Sequence, residues 1–189
     1  MAMEDATQEH LENAEHAEHA AHEGNPFLTT VSVTIAVLAV IAATVGSFES
    51  LETADTINDK SEAAYLQNKA SDQWSFFQAK SIKKNSYEIA AAMGGPAAAQ
   101  FQANAKRNET DSADIQAKAQ DYEKQVNEKL RDSDVHAERH HILTFAVTVL
   151  HISIAVATLS IIMHGKRWPW IGSLVLGVLG LVAAGFAYV

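Results

Sequence analysis

The sequence predicts an all-α membrane protein, with three transmembrane helices and a long antiparallel helical hairpin between spans one and two. Three observations carry this reading. Three runs of 22 residues, 27–48, 142–163 and 168–189, contain no Asp, Glu, Lys or Arg, although 20% of the 189 residues are charged. At 1.5 Å per residue each run reaches about 33 Å as a helix, enough for the roughly 30 Å hydrocarbon core of a bilayer. Between Gly46 and Gly165 the only Gly and Pro residues are Gly94, Gly95 and Pro96, so one breaker divides an otherwise helix-compatible stretch.

The elements follow in chain order. Residues 1–26 form an acidic, His-rich tail with seven Asp and Glu and no Lys or Arg. That charge pattern is opposite to the basic start of a cleaved signal peptide, so the span at 27–48 is expected to stay in the chain. Residues 49–141 leave the membrane and return, with the turn at 94–96, in two arms of roughly 65 Å each. The second span is 142–163, a short basic link occupies 164–167, and the third span is 168–189. Phe27, Phe48, Trp168, Trp170 and Tyr188 stand at the run ends, where amphipathic rings favour the headgroup zone.

The hairpin seam is readable from spacing. On the returning arm Phe101, Ala105, Asn108, Ser112, Ile115, Ala119, Tyr122 and Val126 recur at alternating steps of four and three, a coiled-coil repeat. A turn centred at Gly94 and Gly95 places Trp74 opposite Ile115, Ala70 opposite Ala119, Leu66 opposite Tyr122 and Ala63 opposite Val126. The seam is expected to continue through Leu130. Trp74 and Phe77 face this seam, whereas Phe76 points about 100° away from Phe77 and asks for a further partner.

Several chemistries are excluded. The net charge of −9 and the scattered bases do not suit nucleic-acid binding. The absence of Cys removes disulfides, thiolate metal sites and thiol nucleophiles. No phosphate loop, nucleophile elbow or His-Glu-x-x-His motif occurs, so no enzymatic activity and no cofactor are expected. His16, His19 and His22 share one side of a helix in the tail and are candidate metal ligands. Together with His10 they also offer a response to pH. Within the second span Thr144, Thr148, His151 and Thr158 share a face. An ionisable residue at mid-span is costly in lipid, so His151 is expected to face the bundle interior.

The run Ser71-Asp72-Gln73-Trp74-Ser75-Phe76-Phe77-Gln78-Ala79-Lys80-Ser81-Ile82-Lys83, together with the Glu/His/Ala-rich tail before the first span, resembles an uncharacterised family of small bacterial membrane proteins, domain-of-unknown-function family forty-three thirty-seven. The resemblance covers the tail, the first span, the outgoing arm and the three-span plan, and implies no reaction.

The functional expectation is a non-enzymatic structural or accessory protein of the bacterial inner membrane. Its hairpin mediates self-association or docks on a larger membrane complex. The alternative is an oligomeric channel or transporter subunit in which the Thr and His151 stripe lines a hydrated path; a third reading makes the His-rich tail a metal or pH sensor. The expected partners are the lipid bilayer and further copies or a larger membrane protein complex. The Lys166–Arg167 link places itself and the tail in the cytoplasm by the positive-inside rule, with the hairpin in the periplasm.

Overall fold

A computed structural model describes residues 26–163 and 165–189. Among these residues there are three helices and no strand: α1 (Pro26–Ala92), α2 (Ala98–Ile162) and α3 (Arg167–Phe186). Each contains a stretch long and apolar enough to cross a membrane. α1 opens on Pro26, whose missing N–H is one the first helical turn leaves unpaired in any case. α1 and α2 are separated by Gly94 and Gly95, with φ of +79° and +101°. Residues with a Cβ rarely take such values. α2 closes with Gly165, at φ +78°, whose N–H donates to the Ser160 carbonyl at 2.9 Å.

The chain divides into two compact units, one of the described residues up to Ala54 with Val135–Val189, the other of Asp55–Asp134. In the first unit α1 buries Leu28, Val31, Ile35, Leu38, Ala42 and Val45, at steps alternating three and four. α2 answers with Leu143, Ala146, Leu150, Ser153, Ala157 and Ser160 at the same alternation. A seven-residue repeat of this kind packs side chains of one helix into holes of the next at a shallow crossing. α3 contributes Ser173, Gly177 and Gly180, three small residues that let its backbone come close to its neighbours. A Cβ on Gly177 would meet Leu38 Cδ2 at 2.7 Å, and one on Gly180 would meet Leu150 Cγ at 2.8 Å. The Ser153 hydroxyl donates to the Ser173 carbonyl at 2.6 Å, tying α2 to α3 where both are buried.

In the second unit the cross-helix pairs descend on α2 as they ascend on α1. Lys129 reaches Asp59 and Glu62, the Trp74 indole N–H donates to Glu123, Lys80 pairs with Asp111 and Lys84 with Glu109, and the Tyr87 and Phe101 rings stack. Ala63, Leu66 and Val126 form the apolar cluster, with Tyr122 packed on it, and Ala70, Ala105 and Ala119 are buried. One expectation about a side chain changes here. Leu130 does not continue the seam: it is 42% exposed, whereas Lys129 before it is half-buried and Ser133 is fully buried. The step from Tyr122 to Val126 is four, so the repeat requires three next, which falls on Lys129. Its long apolar stem covers the seam while the ammonium reaches the buried Asp59.

Candidate functional site

The most concentrated set of interacting ionisable groups in the first unit lies at one end of its helices. Glu49, Glu52 and Thr53 sit in the turn of α1 that follows the apolar run ending at Phe48. His136, Arg139 and His140 sit in the turns of α2 that precede the run starting at Ile142, and Tyr188 follows the last turn of α3. Helical spacing puts Glu49 and Glu52 on one face of α1, and His136, His140 and Thr144 on one face of α2, each separated by three or four residues.

Glu52 is only 6% exposed. Its carboxylate accepts from His136 Nδ1 at 2.6 Å on one oxygen and from the Tyr188 hydroxyl at 3.0 Å on the other. Burial pushes this carboxyl up, but the hydrogen bonds from His136 and Tyr188, with the attraction of His136 and Arg139, outweigh it and hold the group below its ordinary range. An ionised carboxylate only accepts, so the proton of this contact resides on His136 Nδ1. The Arg139 guanidinium lies 5.3 Å from the centre of the Tyr188 ring, over its face. Alongside, the Thr144 hydroxyl is 2.6 Å from Glu49 Oε1, and Thr53 Oγ1 is 2.9 Å from His140 Nδ1. Thr53 also donates to the Glu49 carbonyl, which leaves His140 Nδ1 as donor to the Thr53 oxygen.

One carboxylate therefore ties together all three helices of this unit, α1 through its own backbone, α2 through His136 and the chain beyond α3 through Tyr188. The carboxylate also fixes the tautomer and the plane of the His136 ring. This is the chemistry of a polar clamp that locks helix register and holds an imidazole in a defined orientation.

The residues singled out by sequence fall elsewhere. Thr144, Thr148 and His151 are exposed and Thr158 is half-buried, on the outer surface of the unit. The expectation of an inward His151 is thus corrected: the inner face of α2 is occupied by Leu143, Ala146, Leu150, Ile154 and Ala157. Only Thr144 of that stripe joins the clamp. Trp74 and Phe77 meet edge to face at 5.5 Å, both half-buried with Ile115, while Phe76 is exposed. His16, His19 and His22 lie outside the described residues, among which no group of three or more His, Asp or Glu side chains could hold a metal ion.

Sequence reasoning missed Glu52, His136, Arg139 and Tyr188. The signal was present. Acids flank the end of the first run, three His and an Arg flank the start of the second, and a Tyr ends the third. Those three places meet at one end of the three apolar helical stretches.

Neither the curated proteins nor the solved structures contain a match to this chain. Residues 27–189 match the family described as Domain of unknown function (DUF4337). That match takes in the clamp and, but for Pro26, the three described helices, and the chain belongs to this family.

Proposed function

We propose that this is a three-span accessory protein of the bacterial inner membrane, without enzymatic activity, whose residues 49–141 form an antiparallel helical hairpin that associates with the hairpin of a second copy. The observation that supports this is a second repeat along α1 and the residue that follows it, separate from the seam. Ser75, Ala79, Ile82, Ser86, Ile89 and Met93 follow one another at alternating steps of four and three, all are exposed, and none is charged. Met93 is 84% exposed and Ile82 and Ile89 are 65% exposed. An exposed coiled-coil stripe on a helix that already has one seam is the face on which a further helix packs. Copies inserted the same way in one membrane meet along it in parallel, with Ser86 beside Ser86.

Because the chain has no Cys, Ser86→Cys tests this directly. Oxidation is expected to give a disulfide-linked dimer in membranes, and Ile82→Glu with Ile89→Glu is expected to halve the particle mass measured by light scattering in mild detergent. A wild-type chain that sizes as a monomer would overturn self-association and assign the stripe to a different protein of a larger complex.

The outward placement of Thr144, Thr148 and His151 supports a second reading, an oligomeric subunit in which these groups line a path between copies. Ion flux in proteoliposomes that His151→Leu abolishes would favour it over the accessory reading.

A further inference from the structure

The outer surface of the first unit carries a groove of about 500 Å³ between α1 and α3. Val33, Val37 and Ile41 form one wall and Leu174, Val178 and Leu181 the other, while Leu38 against Gly177 makes the floor. Gly177 lets the floor close: a Cβ there would stand 2.7 Å from Leu38 Cδ2. Polar groups occur at one end only, where Thr29, Thr30 and Thr34 line the groove. From Thr30 to Ile41 the groove runs about 17 Å along α1, close to the roughly 15 Å depth of one leaflet.

The polar end is also the basic end. The Arg167 guanidinium lies 5.6 Å from the centre of the Phe27 ring, Phe27 meets Trp170 edge to face at 5.8 Å, and the Trp170 indole N–H donates to Thr34 Oγ1 at 3.1 Å. This run of contacts fixes Arg167, with Lys166 beside it in sequence, at the mouth of the groove. No Asp or Glu occurs in 26–48 or in 142–189. The Thr30 and Thr34 hydroxyls donate to the backbone four residues earlier. They therefore present oxygen acceptors at the mouth, and the donors and positive charge for an anion come from Arg167 and Lys166.

We propose that this groove holds one acyl chain of an anionic glycerophospholipid, whose phosphate is bound by Arg167 and Lys166. The ligand is a lipid rather than a soluble anion because the wall below the mouth is apolar for a leaflet's depth. It is anionic because, among the described residues, both charged side chains at the mouth are cations, and a guanidinium engages phosphate oxygens through two parallel N–H bonds. The proposal rests on the reading that these helices lie in a bilayer.

Trp170 at the mouth is a built-in reporter. The chain with Trp74→Phe and Trp168→Phe, leaving Trp170 as the sole indole, is reconstituted in phosphatidylcholine vesicles containing a few per cent of a brominated lipid, which quenches indole emission on contact. Brominated phosphatidylglycerol is expected to quench Trp170 several-fold more than brominated phosphatidylcholine at the same fraction. Arg167→Gln with Lys166→Gln should equalise the two. Val33→Phe, at an exposed wall position, should weaken the phosphatidylglycerol quenching without altering far-ultraviolet circular dichroism. Equal quenching by both lipids in the unsubstituted groove would overturn the site while leaving membrane insertion intact. Quenching by neither would overturn insertion and the site together.

Discussion

Gly180 of α3 lies against Leu150 and Ala146 of α2 so closely that a Cβ would stand 2.8 Å from Leu150 Cγ and 3.2 Å from the Ala146 carbonyl oxygen. The leucine can shift; the backbone oxygen cannot do so without moving α2. Gly180→Ala is therefore expected to destabilise the first unit by about 1–3 kcal/mol, the usual cost of overfilling a packed site. Gly185→Ala, where nothing lies within 4 Å, should be close to neutral. Thermal unfolding followed by circular dichroism in detergent separates the two.

The clamp predicts an acid-side loss of stability that one substitution removes. The Glu52 carboxyl is held below its ordinary value in the folded chain. Its contribution is therefore fully present above the unfolded carboxylate pKa of about 4.3, and fades as pH falls through the lowered folded value. Glu52→Gln should lower the melting temperature at pH 7 and flatten its fall between pH 5 and the acid limit. Tyr188→Phe removes one hydrogen bond and should cost about 1 kcal/mol. A Glu52→Gln chain whose melting temperature still falls with the wild-type slope would show that the clamp is not the source.

In the second unit the position next to the seam and the seam position exchange their expected importance. Lys129→Ala leaves the buried Asp59 without its cation, and should lower the melting temperature more than Leu130→Ala, although the leucine is the more apolar residue. The measurement is a pair of thermal melts under one set of conditions, and an equal or reversed effect would contradict the register.

The ion pairs of this unit carry their own pH dependence. The Glu109 carboxyl is lowered by its hydrogen bond from Lys84 and the Asp111 carboxyl by that from Lys80. Both contributions are complete above the ordinary carboxylate range and are lost as pH falls through the lowered values. Lys84→Ala with Lys80→Ala should accordingly reduce the difference in helicity between pH 6 and pH 3, read at 222 nm. An unchanged difference would place the acid sensitivity elsewhere.

Membrane orientation has a direct test. Single cysteines at Ala97 and at Gly24 are probed with an impermeant thiol reagent on intact spheroplasts. Labelling is expected at Ala97 and not at Gly24, as the Lys166–Arg167 link requires if it stays in the cytoplasm. Labelling at Gly24 alone would invert the orientation.

The three apolar helices were legible because a stretch of 22 residues without a charge has few other uses in a chain of this composition. The buried face of the returning helix was legible as well: Ala105, Asn108, Ser112, Ala119 and Val126 all lie on it. What could not be read was how long polar side chains settle. Leu130 attracts the eye as a hydrophobe, yet the strict alternation of steps gives the site to Lys129, and only the carboxylates across the interface make a lysine acceptable there. His151 shows the same limit in the first unit. The rule that places an ionisable group inward says nothing of which face of α2 the leucines and alanines already occupy. The clamp escaped notice because Glu52, His136 and Tyr188 are separated by 84 and 52 positions in the chain, and nothing in their local patterns announces a meeting.

The seam of the second unit repeats every seven residues, closes at a single Gly-Gly-Pro break, and includes the small residues Ala63, Ala70, Ala105, Ser112 and Ala119, which make few demands on shape. Length in such a structure is a quantity that can be edited. Removing seven residues from each side of the break would leave every remaining pair in step and shorten the rod by about 10 Å. Removing a number that is not a multiple of seven, or cutting one side only, would take Lys80, Lys84 and Lys129 out of step with their partners. Insertions and deletions tolerated in this segment should therefore come as matched heptads, so that the rod behaves as a ruler graduated in two-turn units.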